Sequence, residues 1–334
     1  MIERRRGKVM RLAIPSKGSL SEPTHEYFKR AGLALSRPNA RRYTGKMSGQ
    51  EDIEVLYQRA TEIPEKIIEG TVDLGVTGLD IIREDFDRPE IIVLMENLGY
   101  GRADLVLAVP DAWVDVQSIS DLADLSWEWK SRGREVRIAT KFKRLTSRFL
   151  AEHGINYFQL VASHGATEVA PEMGLADCIV DLTSSGATLR DNHLKPVTGG
   201  RVFRSQACLI ASRDALARAE RLRERTRMIL EMCEAVERAR GVYVLSVRVG
   251  RDDARAFSDE LERALPGRAR VDFQETALDP KSIAAQIQVP RAEMYEALAV
   301  CRKFSDRAVT ANKVDYVFEP VSPAWRSLLH QLKE

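Results

Sequence analysis

The chain has no excess of either charge, no long apolar run and no paired cysteines, and each absence removes a class of function. Its 51 Lys and Arg against 49 Asp and Glu leave a net charge of +2, so no overall field draws it to nucleic acid or to an anionic membrane surface. No stretch is apolar over the roughly 20 residues that a membrane-spanning helix needs. A basic start, Arg4 to Arg6 with Lys8, precedes only the brief apolar run Leu12 to Pro15. That run is too short for a secretory signal core, and the start reads as a solvated arm. The four cysteines, Cys178, Cys208, Cys233 and Cys301, stand far apart without C-x-x-C spacing, which suggests neither a zinc site nor a disulfide framework. A reducing cytoplasm fits. What remains is 334 residues of globular composition, enough for two or three compact units.

Short apolar strands alternate with amphipathic helices from Arg11 to Ala211, which predicts α/β layers with largely parallel sheets. The pattern divides into two lobes with a ligand cleft between them. One lobe holds residues 1–105 and 196–213, because a strand near Val202 to Ile210 returns to it; the other holds 106–195. In the middle, Ile119 to Leu125 suggests a short helix, and the polar stretch Glu128 to Glu135 an exposed loop. Residues 214–240 are densely charged, with Asp214 and Arg218, and Glu234 and Arg238, at i,i+4, and predict one long connecting helix. Its arginines are interleaved with glutamates, which argues against a nucleic-acid face. Residues 241–334 follow the order βαββαβ, a ferredoxin-like arrangement, and then a closing helix from Pro323 to Leu332. This last unit gathers no nucleophile, base or metal cluster, so it suits regulation or assembly. Its strands also lack the aromatic pair that would stack RNA bases.

Several strand-to-helix turns have phosphate-binding composition. In the stretch Glu168 to Leu189, the strand Ala176 to Leu182 carries Asp181 and then breaks into Thr183, Ser184, Ser185, Gly186, Ala187 and Thr188. Small hydroxyl residues around a glycine leave backbone N–H groups and hydroxyls free to converge on an anion. An acid at the edge can accept from sugar hydroxyls. An ordinary capped helix start has the same composition. Lys17 and Gly18 follow the first strand and offer a point charge beside a closely approachable backbone, or simply a surface lysine at a turn. Asp80 after Thr77-Gly78 is a further anion-site candidate or a plain helix cap. Tyr100 and Arg102, set among glycines, suit a planar base or a phosphate.

On these residues the chain resembles the ATP phosphoribosyltransferase family, the enzymes that open histidine biosynthesis. The family signature is met by Glu168, Gly174, Ile179, Asp181, Leu182, Ser185, Gly186, Thr188 and Leu189. Supporting segments are Ala13 to Gly18, Arg59 with Ile63-Pro64, Asp73 to Asp80, Gly99 to Arg102 with Leu107 to Pro110, and Arg137 to Lys141. The resemblance implies a two-lobed periplasmic-binding-protein-like (type II) catalytic core, here in the long form with a C-terminal regulatory domain. It implies transfer of the 5-phosphoribosyl group of 5-phosphoribosyl diphosphate (PRPP) to N1 of ATP, with Mg2+ carried by the diphosphate rather than by a resident protein site. By the same resemblance Lys17, Arg59 and Asp181 are the catalytic candidates. Asp181 would hold the ribose hydroxyls, and Ser184, Ser185, Gly186, Ala187 and Thr188 the 5-phosphate. Lys17, Gly18, Arg42, Asp80, Tyr100 and Lys141 would contact ATP. Histidine and AMP as inhibitors, and a homo-oligomer (dimer or hexamer), also follow from the resemblance. The chain departs from the family at Ser19, where arginine is usual, at Ala166, where serine is usual, and at Arg270 to Leu278, which lacks a Thr-Val-Ser-Pro run. The competing reading is a non-catalytic two-lobed paralogue that binds a phosphorylated ligand and regulates.

Overall fold

The computed structural model describes residues 9–37, 39, 42–163, 165–275 and 280–333. The basic arm Arg4 to Lys8 and the segment Thr276 to Leu278 lie outside the described residues. The chain forms two compact units, residues 1–228 with 323–334, and residues 229–322.

The first unit is built on two sheets. One has seven strands in the order β2 (Leu35–Ser36), β3 (Thr44–Met47), β4 (Gln50–Gln58), β1 (Met10–Pro15), β5 (Leu74–Gly78), β12 (Ala207–Ser212) and β6 (Ile91–Met95). The other has five, in the order β11 (Leu194–Ser205), β7 (Ala103–Pro110), β10 (Cys178–Thr183), β8 (Val136–Thr140) and β9 (Phe158–Ala162). The expectation of largely parallel sheets is corrected to mixed ones. In each sheet three strands run parallel, β4-β1-β5 and β10-β8-β9, and the flanking pairs are antiparallel. The central strands β1 and β5, and the first half of β10, are nearly continuous apolar runs because both faces are covered, whereas β4 alternates buried with half-buried residues. Leu12, Ala13 and Ile14 of β1 are fully buried, as are Cys178, Ile179 and Val180 of β10.

Around the sheets lie α1 (Ser21–Arg30), α2 (Ile63–Ile68), α3 (Leu79–Asp85), α4 (Ile119–Ser131), α5 (Lys143–Glu152), α6 (Ala187–Asp191), α7 (Arg213–Arg218) and the first part of α8 (Glu220–Arg238). The closing helix α11 (Pro323–Gln331), expected with the C-terminal domain, belongs to this first unit and packs on β6. Two other expectations change. Helix α4 runs on through the polar stretch to Ser131: Ser118 and Asp121 form a capping box at its start and Trp129 packs on the lobe core beside Trp113. The charged connecting segment is broken at Ala219, which is extended (φ −126°). There the Arg223 guanidinium takes the carbonyls of Leu216 and Ala217 at 2.8 and 3.1 Å, satisfying the end of α7.

The strand expected over Val202 to Ile210 is two strands in different sheets. Gln206 separates them: its carbonyl accepts from Leu79 N–H at 2.9 Å, outside either ladder. The return crossing is bonded to the outgoing one, Leu98 N–H to Ala207 O and Ala207 N–H to Tyr100 O, both at 3.0 Å. Two paired crossings form the hinge between the lobes.

Packing inside the first lobe is tight enough to test. A Cβ on Gly75 of β5 would lie 2.3 Å from Ile63 Cγ2 and 3.3 Å from Ile67 Cδ1 of α2. Gly75→Ala is therefore expected to lower unfolding free energy by about 1–3 kcal/mol, read as a lower urea midpoint at unchanged m-value.

The second unit contains β13 (Val242–Gly250), α9 (Ala254–Ala264), β14 (Arg270–Glu275), β15 (Ser282–Pro290), α10 (Met294–Phe304) and β16 (Thr310–Lys313). Its antiparallel sheet has the order β14-β15-β13-β16, the ferredoxin-like arrangement. Phe257, Ala285, Ile287, Ala297 and Cys301 are buried in its core. Among the described residues, no helix is long and apolar enough to cross a membrane.

Candidate active site

In open α/β sheets the ligand crevice lies outside the carboxyl ends of the parallel strands, and the predicted residues gather at such ends. In the first lobe, β1 and β4 run side by side, with Pro15 opposite Gln58 and Ser16 N–H bonded to Gln58 O at 2.7 Å. The turns that follow carry Lys17 and Arg59, so register alone makes them neighbours at one sheet edge. Both are exposed; Arg59 makes only a loose 3.7 Å pair with the half-buried Glu62. Gly18 has φ +84°, a conformation glycine adopts without strain. The end of β5 joins the same edge, since the Thr77 hydroxyl donates to Ala60 O at 2.7 Å.

In the second lobe, the end of β10 carries Asp181 and the end of β8 leads to Lys141. Lys141 Nζ stands 3.8 Å from Asp181 Oδ1, and Leu182 N–H donates to the same oxygen at 2.9 Å. Burial pushes the Asp181 carboxyl above its ordinary range; Lys141 and the Leu182 and Thr167 hydrogen bonds oppose that, and the charge of Glu168 adds to it. Asp177, four residues earlier at the other end of the strand, shows the reverse. Burial works to raise it, but Arg137 and Arg134 hold it below the ordinary range. Arg134 lies at 2.6 Å and Arg137 at 3.0 Å. Asp177 is satisfied by two arginines, whereas Asp181 is an under-compensated acid near a strand end.

After Asp181 the chain closes a small loop: the Thr183 hydroxyl accepts from Gly186 N–H at 2.9 Å. Gly186 sits at φ +71°, and Arg190 Nη1 donates to Ser185 O at 3.2 Å. Ser184, Ser185, Ala187 and Thr188 are exposed. Thr183 and Ser184 also face a cavity of ≈ 470 Å³ at the hinge, lined with Arg102, Asp104 and Arg204. Among the described residues Arg102 has no hydrogen-bond or ion-pair partner.

Other predicted residues are already engaged. Asp80 is buried, and its Oδ1 and backbone N–H both bond the Ser205 hydroxyl. The Tyr100 hydroxyl pairs with Thr24 Oγ1 at 2.9 Å, so Tyr100 braces α1 while Arg102 lines the cavity. Arg42 lies between β2 and β3, its N–H bonded to Asn39 Oδ1 at 3.1 Å. Sequence reasoning missed Thr167 and gave Glu168 no role beyond the signature; through the turn that starts at Ala166, the Thr167 side chain hydrogen-bonds Asp181 and the Glu168 charge acts on it. Ala166 is left-handed (φ +47°), a strained conformation for a residue with a Cβ.

The fold and these strand ends define a class: a two-lobed, periplasmic-binding-protein-like (type II) α/β core with anion-suited turns, carrying a separate ferredoxin-like domain. The comparisons narrow it. The family model described as ATP phosphoribosyltransferase matches residues 59–235. The ATP phosphoribosyltransferase of Bradyrhizobium diazoefficiens is 39% identical over 323 residues, covering 95% of this chain and 96% of that one. That of Mesorhizobium japonicum is 48% identical over 208 residues, covering 61% and 90%. Among solved structures, the ATP phosphoribosyl transferase (HisG:HisZ) complex from Thermotoga maritima aligns with TM-score 0.51 at 25% identity, covering 68% of this chain and 97% of that one. The chain belongs to the ATP phosphoribosyltransferase family and is a pentosyl-transferring enzyme.

Proposed function

We propose that the chain transfers the 5-phosphoribosyl group of PRPP to N1 of ATP, giving N1-(5-phosphoribosyl)-ATP and diphosphate, the first step of histidine biosynthesis. The observation that carries the reading is the under-compensated Asp181 at the head of the Thr183–Thr188 loop. A half-buried carboxylate whose one cation stands 3.8 Å away, and which has the Leu182 and Thr167 hydrogen bonds besides, has acceptor capacity to spare, and a ribose with two adjacent hydroxyls satisfies it. The loop hydroxyls and the N–H groups around Gly186 suit the 5-phosphate.

In the reaction a bond forms between adenine N1 and ribose C1, and the C1–O bond to diphosphate breaks with its electron pair leaving on oxygen. The transition state is oxocarbenium-like, so the protein has to align two substrates and neutralise a leaving group, and it needs no nucleophile of its own. Lys17 and Arg59 supply positive charge for diphosphate or for the ATP phosphates. Lys141 stands beside Asp181 to steady the acid or to reach a phosphate, and Arg102 adds a free cation at the hinge cavity. Gly18 lets backbone approach; Arg42 remains the peripheral ATP candidate. Asp80 and Tyr100 serve by bracing α3 and α1.

The family reaction uses a metal ion. In this reading the ion is Mg2+ that arrives on the diphosphate as part of the substrate. The cytoplasm, a homo-oligomer, and histidine or AMP as inhibitors belong to the same reading. The test is incubation with ATP, PRPP and Mg2+, with a diphosphatase to draw the equilibrium forward. Absorbance should rise at the long-wavelength edge of adenine as N1 is substituted. PRPP binding without product would favour the non-catalytic paralogue.

A further inference from the structure

One carboxylate outside the substrate site ties the two lobes of the first unit together. Glu84 lies in the last turn of α3, which follows β5 of the seven-stranded sheet, and it is buried. Its Oε1 accepts from Arg144 N–H at 2.8 Å and its Oε2 from Leu145 N–H at 2.9 Å. Those N–H groups open α5, which follows β8 of the five-stranded sheet. Helix α5 has no cap of its own: Phe142 at its start makes no side-chain capping bond, and its first turn contains no acid. The orphan donors of one lobe are thus satisfied by an acid from the other, with the helix dipole adding to the attraction. The other end of α3 is also anchored to the five-stranded sheet, through Asp80 and Ser205, the last residue of β11.

The clasp reaches the substrate site in two residues. Lys141 stands between the end of β8 and the capped start of α5, where the Thr140 hydroxyl accepts from Phe142 N–H at 3.0 Å. Phe142 is buried in the lobe core. With the preceding strand and the following helix both held, the Lys141 backbone has little freedom, and its ammonium stays near Asp181.

We infer that Glu84 is a positioning residue for the transfer: it latches the lobes through the N-terminus of α5 and thereby sets Lys141 against Asp181. The inference rests on the reading of Asp181 as the ribose-binding acid. Glu84 touches no substrate, so its effect runs through Lys141 and lobe closure. A latch of two hydrogen bonds can be released and remade as the lobes move, which a hydrophobic contact of the same area would do with less directionality.

A double-mutant cycle on the full chain tests it. Glu84→Ala alone is expected to lower kcat/KM for PRPP about tenfold, the loss that corresponds to a helix cap. It should raise KM more than it lowers kcat. Lys141→Ala alone is expected to have an effect of about the same size, and the two together little more than either, because they act through one contact. Glu84→Gln retains one acceptor and should recover part of the loss; it also replaces Glu84→Ala in the cycle if the alanine variant does not fold. Strictly additive losses, or an unchanged kcat/KM for a folded Glu84 variant, overturn the inference. Asp181→Asn run in parallel separates the causes: if it leaves PRPP affinity intact, the site reading itself has failed.

Discussion

Asp181→Asn is expected to cut kcat/KM for PRPP by about a hundred- to a thousandfold. Two charge-assisted hydrogen bonds to ribose hydroxyls, each contributing about 1.5–2 kcal/mol, account for that range. The substitution keeps shape and removes charge, so the fold should hold. Stability should in fact move the other way. Burial raises the Asp181 carboxyl in the folded protein above its unfolded value. A group raised in this way favours the fold fully below its unfolded pKa, and that contribution is lost as pH rises through the folded pKa. At neutral pH the ionised carboxyl is therefore a net cost of folding. Asn removes the cost, and Tm at pH 7 should rise; the gain should vanish below about pH 4, where the wild-type carboxyl is protonated in both states. Loss of affinity together with a higher Tm is the signature of an acid kept for binding. A lower Tm at pH 7 would mean that Asp181 is a structural acid like Asp177.

Removing the charges at the opposite strand ends should affect the chemical step. Lys17→Ala and Arg59→Ala are each expected to lower kcat by about a hundred- to a thousandfold, the size found when a group that meets developing transition-state charge is deleted. KM for PRPP should change less, because the leaving diphosphate gains charge only as the C1–O bond breaks. Both side chains are exposed, and Arg59 is only loosely paired, so truncation leaves no buried charge and thermal unfolding should stay within about a degree or two of wild type. Arg59→Lys keeps the charge without the planar fork and should fall between. Steady-state kinetics with each substrate varied in turn read the split. A rise in KM for ATP alone, at unchanged kcat, would move these two cations from the diphosphate to the ATP phosphates.

Much of this arrangement was legible in the residues because strand-turn-helix units announce themselves by composition. Asp181 and the Thr183–Thr188 loop were found where hydroxyls and a glycine follow an apolar run, and the βαββαβ order of the second unit came from alternating periodicities alone. What periodicity cannot report is which sheet a buried strand joins. Val202 to Ile210 is apolar enough to be one strand, and only the capture of the Gln206 carbonyl by Leu79 N–H divides it between lobes. The short polar strands β2 and β3 carry too little apolar pattern to be seen. The extension of α4 and the break at Ala219 depend on Trp129 packing and on an arginine taking two carbonyls, contacts that require the folded chain. At the site, turn composition marked Asp80 and Tyr100 as substrate contacts, yet Ser205 and Thr24 engage them. Glu84 had no local signal at all, because its partners lie in another lobe, 60 and 61 residues further along the chain.

The central claim is that PRPP sits on the loop that begins at Asp181. Backbone amide exchange, followed with and without PRPP and Mg2+, tests it without relying on any variant. The account predicts slowed exchange at residues 183–188 and around Lys141 when PRPP is added, with the second unit unchanged. Protection confined to other segments, with the 183–188 amides exchanging as fast as in the free protein, would contradict it.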